Sequence, residues 1–434
     1  MNDEKIKHLY ELYSTHPKIS TDSRNIQPND IFFSMHGETF DGNKFAAIAL
    51  EKGARCVVID NPFYYNSELG EGKQILVSDT LQCLQALSRL HRQTLKIPVI
   101  GVTGTNGKTT TKELIHAVLA TKYKTQATKG NLNNHIGVPL TILSITREYE
   151  MAIVEMGANH CGEIAFLCDI AQPNYGLITN IGQAHIEGFG SLEGVIKTKN
   201  ELFDFLQSHN GFAFVNNDDT NISNRAAELA NKLTYSLHHP ANITAQVDKT
   251  KPYATVLCNG VTLNSNLTGA FNASNILAAV SVGLHFGLDM TEIQSAIANY
   301  VPVNRRSQIK KTESNTLILD CYNANPSSVK ASLEAFIAMN ATGKCVFLGS
   351  MKELGSISRE AHKAVVNYLK DKGLKRIAFV GQEYEEWTKG NDNMLWFSTS
   401  SMLRDWLLQH PISDSTILIK GSRATEMELV ETVL

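Results

Sequence analysis

The stretch Gly101-Val-Thr-Gly-Thr-Asn-Gly-Lys-Thr-Thr110 holds the residue types that phosphate chemistry needs. An apolar lead-in, Pro98-Val99-Ile100, reads as a strand, and Lys108 onward reads as a helix. The glycine-rich turn between them gathers backbone N–H groups and a helix N-terminus around one point, which suits a phosphate. Lys108 has the reach for outer phosphates, and the Thr109 hydroxyl is a ligand type for Mg²⁺. The general nucleotide pattern G-x-x-x-x-G-K-[ST] would need glycine at position 102, which is Val102; Gly101 falls one place early and Gly104 two places late. The residues placed to hold phosphate are therefore Gly104, Thr105, Asn106, Gly107, Lys108, Thr109 and Thr110. The competing reading is a plain strand-to-helix turn, and the fitting strand and helix weigh against it.

Five other places carry chemistry-bearing side chains. Glu155 ends an apolar strand, where open α/β sheets face their ligand crevice, so it suits a metal as well as a turn cap. His185 lies in a glycine-rich loop, Asn180-Ile-Gly-Gln-Ala-His-Ile-Glu-Gly-Phe-Gly190, with ligand and structural roles evenly matched. Lys197 and Lys199, in Ile196-Lys-Thr-Lys-Asn-Glu-Leu-Phe203, read as a solvated helix face. An unmodified lysine would repel Mg²⁺, so Lys199 can serve a metal only with its charge changed. Asp320-Cys-Tyr-Asn-Ala-Asn-Pro-Ser-Ser328 opens a helix that Asn325 can cap, with Pro326 in its first turn. Asp320, Tyr322 and Asn323 exceed what a cap requires and point to a ligand surface. Lys420-Gly-Ser-Arg423 reads as a turn or an anion-binding edge.

These residues need a scaffold that brings strand ends together. The 434 residues suit several domains, and the alternation of short apolar strands with helices predicts an α/β protein of three. Residues 1–92 form a small α/β unit with strands at Ile31–Met35, Arg55–Asp60 and Gln74–Ser78 and a helix over Thr80–Arg92. Residues 93–303 predict a central, mostly parallel sheet with strands at Met151–Glu155, Gly176–Asn180 and Ala213–Asn216, and β structure within 240–270. Residues 304–434 predict a Rossmann-like sheet with strands at Leu317–Asp320, Lys344–Leu348, Arg376–Val380 and Thr416–Lys420. With 40 basic against 43 acidic residues, the net charge of −3 gives no basic field for nucleic acid or a membrane surface. The mixed-charge start, Met1 to Lys7, does not read as a signal peptide, and the longest apolar run, Ile276–Leu288, is too short to span a membrane. Seven scattered cysteines without a C-x-x-C pair read as reduced thiols of a cytoplasmic protein.

Taken together, these motifs resemble the ATP-dependent Mur ligases of peptidoglycan synthesis, over essentially the whole chain. Thr103–Thr110 resembles that family's phosphate loop, including its glycine spacing. The resemblance implies Mg²⁺ ligands at Thr109 and Glu155, and a second ion at His185 and Lys199, the lysine being carried as a carbamate. Asn272, in Phe271-Asn-Ala-Ser-Asn275, resembles an asparagine near the adenine, and Arg305 and Asp320 resemble inter-domain nucleotide contacts. Lys108, Lys199 and His185 are then the expected catalytic residues. Thr21-Asp-Ser-Arg24 and Gly37-Glu-Thr-Phe-Asp-Gly42 resemble a UDP-substrate-binding N-terminal domain. Asn131–Leu140, Tyr322-Asn-Ala-Asn-Pro326 and Leu348–Gly355 are similar to the branch that adds D-alanyl-D-alanine to UDP-N-acetylmuramoyl-tripeptide, although Ser350 and Lys352 depart from its usual residues. The resemblance implies a cytoplasmic enzyme serving cell-wall synthesis, cell shape and division, with small-molecule partners and a monomeric state. The competing readings are a ligase for another acceptor (a third-residue enzyme, or a folylpolyglutamate- or cyanophycin-type synthetase) and a nucleotide-binding relative without activity. The third-residue enzyme's Asp-Asn-Pro-Arg motif is missing here, the Thr-Asp-Ser-Arg block disfavours the two synthetases, and an inactive relative would lack Lys199.

Overall fold

The computed structural model describes residues 3–70, 72–183, 185–389 and 393–434. Met1 and Asn2 of the charged N-terminal run, and Ala184 of the loop before His185, lie outside the described residues. Among the described residues the strands form three main sheets, of four, nine and six strands, with a small hairpin. No helix among them is long and apolar enough to cross a membrane.

The N-terminal sheet is parallel, in the order Ile19–Ser20, Ile31–Phe33, Cys56–Ile59, Gln74–Leu76. Ile31–Phe33 and Cys56–Ile59 are buried along their whole length, as expected of apolar strands covered on both faces. The leucine-striped helix Thr80–Thr94 covers one face through Leu84 and Leu87, and Asp79 caps it by accepting from the Gln82 N–H at 2.8 Å. The helix Asp3–Thr15, which the sequence reading passed over, adds Leu9 and Tyr13 to that core.

The central sheet runs Val261–Thr268, Tyr253–Cys258, Ile243–Val247, Lys232–Ser236, Phe212–Asn216, Tyr175–Ile178, Val99–Thr103, Met151–Glu155, Thr125–Ala127. From Thr125 to Ile243 every neighbouring pair is parallel, and the last two pairings are antiparallel. The β structure expected within 240–270 is this antiparallel extension. From Val99–Thr103 the chain goes to the edge strand Thr125–Ala127, returns to Met151–Glu155 between the two, and then crosses to Tyr175–Ile178 on the other side. The glycine-rich turn therefore leaves the sheet at its switch point. The following helix, Lys108–Leu119, is fixed by Leu114, Ile115, Val118 and Leu119, all fully buried against the helix Asn272–His285. Burial contributes about 1.5–3 kcal/mol for each such side chain.

The C-terminal sheet is ordered Gln308–Lys311, Asn315–Asp320, Ser415–Lys420, Cys345–Gly349, Arg376–Val380, Met394–Phe397, parallel except for its first pair. The last strand in the sequence sits beside the second, so Asp320 and Lys420 end side by side at the carboxyl edge. The helix Pro326–Ala338 begins there with a capping box, the Asn325 side chain accepting from the Ser328 N–H.

Candidate active site

The carboxyl edges of the central and C-terminal sheets face one another across a cavity of about 1360 Å³. Thr105, Lys108, Glu155 and His185 line it from one side, and Arg306, Asp320, Tyr322 and Lys420 from the other.

The phosphate loop has the shape its glycines require. Gly104 has φ +142, and a Cβ there would stand 2.0 Å from Thr179 Oγ1; Gly107 has φ +79, and its Cβ would stand 2.6 Å from Asn275 Oδ1. Both positions exclude a side chain on conformation and on space. The Lys108 ammonium donates to the loop carbonyls of Gly104 (2.7 Å) and Thr105 (3.0 Å). Burial lowers Lys108 to about 8, the Glu155 carboxylate pulling it up and Arg306 pushing it down.

Asn106 turns its side chain out of the loop to the C-terminal domain. Its Oδ1 accepts from Asn325 Nδ2 at 2.8 Å, and its Nδ2 donates to Ser327 Oγ at 2.9 Å. Its backbone N–H donates to Asn180 Oδ1 at 3.0 Å, and its carbonyl accepts from Thr179 Oγ1 at 2.6 Å. The phosphate loop is thus bonded through one residue to the capped end of Pro326–Ala338.

Glu155 is 1 % exposed at the end of its strand. Its Oε1 accepts from Thr109 Oγ1 (3.0 Å) and from Asn133 Nδ2 (2.8 Å), whereas its buried Oε2 has no hydrogen-bond partner. A buried carboxylate oxygen without a donor is costly, and a hard cation is the partner its chemistry fits. Among the described residues no three His, Cys, Asp or Glu side chains cluster in metal-ligating fashion. Such a site offers Mg²⁺ a hydroxyl and a carboxylate and leaves the remaining positions to phosphate and water.

The two neighbouring lysines part company on the helix Leu192–Ser208. Lys197 is exposed, as the solvated-face reading requires, while Lys199 is 2 % exposed on the buried face with Val195, Leu202 and Phe203. Its Nζ lies 3.5 Å from the Ala158 carbonyl and 5.2 Å from the centre of the Phe189 ring. Burial lowers it to about 7; the Lys108 charge pushes the same way, and Glu163 and Glu201 oppose. His185 also meets Phe189, edge to face at 6.5 Å. His185 is shifted down by burial against the opposing pull of Glu353, whose Oε2 lies 2.5 Å from its Nδ1. The donor set at these two residues fits a metal only if Lys199 is converted to an anion.

On the opposite wall Asp320 Oδ2 accepts from Lys420 Nζ (2.7 Å) and Ser332 Oγ (2.8 Å). Asn272 commits its amide to the Thr268 carbonyl (2.8 Å) and Ser307 Oγ (3.1 Å), and its Oδ1 accepts from Asn275, which in turn accepts from Thr111 Oγ1. Arg305 is the position at which the resemblance implies an inter-domain nucleotide contact. Its φ of +54 turns its half-exposed side chain toward Glu431 (3.2 Å), away from the cavity. Its neighbour Arg306 lines the cavity instead, with its guanidinium carbon 3.8 Å from the centre of the Tyr322 ring. The sequence reading also passed over Asn133 as a partner of Glu155. The positive φ that separates the two arginines has no signature in their residue types.

Three family models match the chain: "Mur ligase family, catalytic domain" over residues 17–92, "Mur ligase middle domain" over 102–283, and "Mur ligase, glutamate ligase domain" over 305–423. The UDP-N-acetylmuramoyl-tripeptide–D-alanyl-D-alanine ligase of Escherichia coli K12 is 33% identical over 96% of this chain and 93% of its own length. The enzyme of the same name from Bacillus subtilis 168 is 31% identical over 94% and 91%. Among solved structures, MurF from Acinetobacter baumannii superposes with a TM-score of 0.82 at 29% identity, covering 96% of this chain and 92% of that one. The MurF ligase of Thermotoga maritima in complex with ADP gives 0.82 at 26% identity, over 98% and 97%.

Proposed function

The chain belongs to the Mur ligase family, and from that membership we propose how its residues carry out the family's chemistry. It is an ATP-dependent ligase of peptidoglycan precursor synthesis, joining D-alanyl-D-alanine to UDP-N-acetylmuramoyl-tripeptide to give the pentapeptide, ADP and phosphate. The observation that carries the site assignment is the single cavity in which Lys108 and Glu155 of the central domain face Asp320 and Lys420 of the C-terminal domain.

A carboxylate is a poor electrophile because its oxygen leaves badly. An oxygen of the tripeptide's terminal carboxylate forms a bond to the γ-phosphorus as the bond to ADP breaks, giving an acyl phosphate. The dipeptide amine then attacks the carbonyl carbon, loses a proton, and phosphate departs. Lys108 neutralises charge on the transferring phosphoryl group, as the loop N–H groups hold its neighbours. Arg306 adds a second positive charge from the C-terminal side. Domain docking shields the acyl phosphate from water.

Thr109 and Glu155 would hold Mg²⁺, and His185 with a carbamylated Lys199 would hold a second ion. Bound there, the ions would supply charge neutralisation for the phosphates and the acyl group. The buried Lys199 ammonium, which has no carboxylate within ion-pair distance among the described residues, loses one proton to give the free amine. The amine bonds to CO₂ through a new N–C bond and loses a second proton, so that a buried cation becomes an anion. The N-terminal cavity between His36–Lys44, Asp60–Pro62 and Ser78 is the place for the UDP moiety. We assign the enzyme to the cytoplasm, as a monomer supporting cell shape and division, because its substrates are soluble nucleotide-linked precursors.

Phosphate release from ATP is expected only when UDP-N-acetylmuramoyl-tripeptide and D-alanyl-D-alanine are both present. Release supported by a single amino acid in place of the dipeptide overturns the assignment in favour of a third-residue ligase. The two arginines give a second test. Arg306→Ala is expected to raise the KM for ATP about 10-fold, the loss of one charge-assisted contact. Arg305→Ala should leave it nearly unchanged, and the reverse pattern would restore Arg305 as the nucleotide contact.

A further inference from the structure

The loop 350–355 follows the strand Cys345–Gly349 and is tied to its own domain at successive residues. The Ser350 N–H donates to the Val380 carbonyl (2.9 Å), the Met351 N–H to Nε2 of the buried His362 (3.0 Å), and the Lys352 N–H to Ser422 Oγ (3.0 Å). Met351 and Leu354 are buried in the C-terminal core. On either side of Leu354 the backbone is left-handed, with φ +62 at Glu353 and +52 at Gly355. A glutamate in that region is uncommon and persists where the surroundings dictate it.

That conformation sends two neighbouring residues across to the central domain. Glu353 Oε2 lies 2.5 Å from His185 Nδ1. A Cβ at Gly355 would lie 3.5 Å from Glu187 Cβ, so the backbones nearly touch there. His185, itself at φ +51, begins the short helix Ile186–Phe189, so both contacts fall on one segment.

We propose that Glu353 is a positioning residue for His185, delivered by the C-terminal domain. By engaging Nδ1 it holds the proton on that nitrogen and fixes the ring, leaving the Nε2 lone pair as the one available to a divalent ion. His185 is therefore set for coordination only when the C-terminal domain is docked. This inference rests on the reading of His185 as a metal ligand. A simple surface ion pair would contribute little to stability and nothing specific to metal binding.

The test is Mn²⁺ binding to the enzyme–ADP complex, followed by electron paramagnetic resonance, alongside steady-state kinetics and thermal melting. Glu353→Ala is expected to weaken Mn²⁺ binding and lower kcat by about 10- to 100-fold, the range for loss of a carboxylate behind a metal-bound histidine. The KM for the tripeptide and the melting temperature should hold. Glu353→Gln, whose amide oxygen still accepts from Nδ1, should retain more binding than Ala. Adding Glu353→Ala to His185→Ala should cost nothing further, since the two act through one ring. If Glu353→Ala binds Mn²⁺ normally while His185→Ala does not, the positioning role falls and the metal reading stands. If His185→Ala also binds normally, the metal reading falls with it. Parallel loss of Mn²⁺ affinity and melting temperature in both Glu353 variants would make the pair a docking contact only, and would equally overturn the proposal.

Discussion

Lys108→Ala is expected to lower phosphate release at least about 10³-fold while leaving the protein folded, a loss of about 4 kcal/mol from the transition state. The fold should survive because, among the described residues, the Lys108 ammonium bonds only to carbonyls of its own loop, whereas the helix behind it is held by Leu114, Ile115, Val118 and Leu119. Lys108→Arg should not rescue, since a planar guanidinium fork cannot reproduce the compact ammonium that donates to the Gly104 and Thr105 carbonyls. Single-turnover phosphate release, with melting temperature as the control for folding, separates these outcomes. Turnover within about tenfold of the unaltered enzyme would remove the lysine from the phosphoryl-transfer step.

Lys199→Ala should be nearly as damaging, about 10²-fold or more, and it should be repairable. The helix face that holds Lys199 is packed by Val195, Leu202 and Phe203, so shortening the side chain leaves a space beside the Ala158 carbonyl rather than a collapsed helix. If the working group is a carbamate, a small carboxylate such as formate or acetate in excess should enter that space and restore part of the activity. Ammonium or methylamine should restore none. The opposite pattern, rescue by the amine, would mean that the lysine works as a cation. Removal of dissolved CO₂ from the unaltered enzyme should lower activity, and added bicarbonate should return it.

How much of this was legible in the sequence differs by residue. The sheets were readable because their strands are continuous apolar runs between turn residues, as in Arg376–Val380, and the helix over Thr80–Thr94 because its leucines recur at helical spacing. Asp3–Thr15 was missed because its apolar residues are outnumbered by charged and polar ones, and it is held by packing against a core distant in sequence and by Tyr13 donating to the Leu143 carbonyl. Within the site, Gly104 and Gly107 announced themselves, because only glycine tolerates those conformations and approaches. The Lys197–Lys199 pair did not sort itself by type; burial decided it, through the register of the helix. Arg305 and Arg306 were indistinguishable for the same reason, until the left-handed turn at Arg305 sent one side chain to Glu431 and the other to Tyr322. Long-range partners such as Asn133 on Glu155, or Glu353 on His185, have no local signal at all.

The side chain of Asn106 joins the phosphate loop to Asn325 and Ser327, while its own backbone belongs to the loop that would wrap the nucleotide. Any shift of that loop on nucleotide binding is therefore also a shift in the equilibrium between docked and undocked C-terminal domain. Linkage then runs both ways: the factor by which ATP favours docking equals the factor by which docking raises the affinity for ATP. A dipeptide that binds better to the docked form would, by the same bond, tighten the hold on the nucleotide before any phosphoryl group has moved. Asn106→Ala should weaken this coupling without abolishing it, since Glu353 and His185 still join the domains. Equilibrium titration of ATP with and without the dipeptide should give a smaller factor than in the unaltered enzyme, and an unchanged factor would remove Asn106 from the linkage.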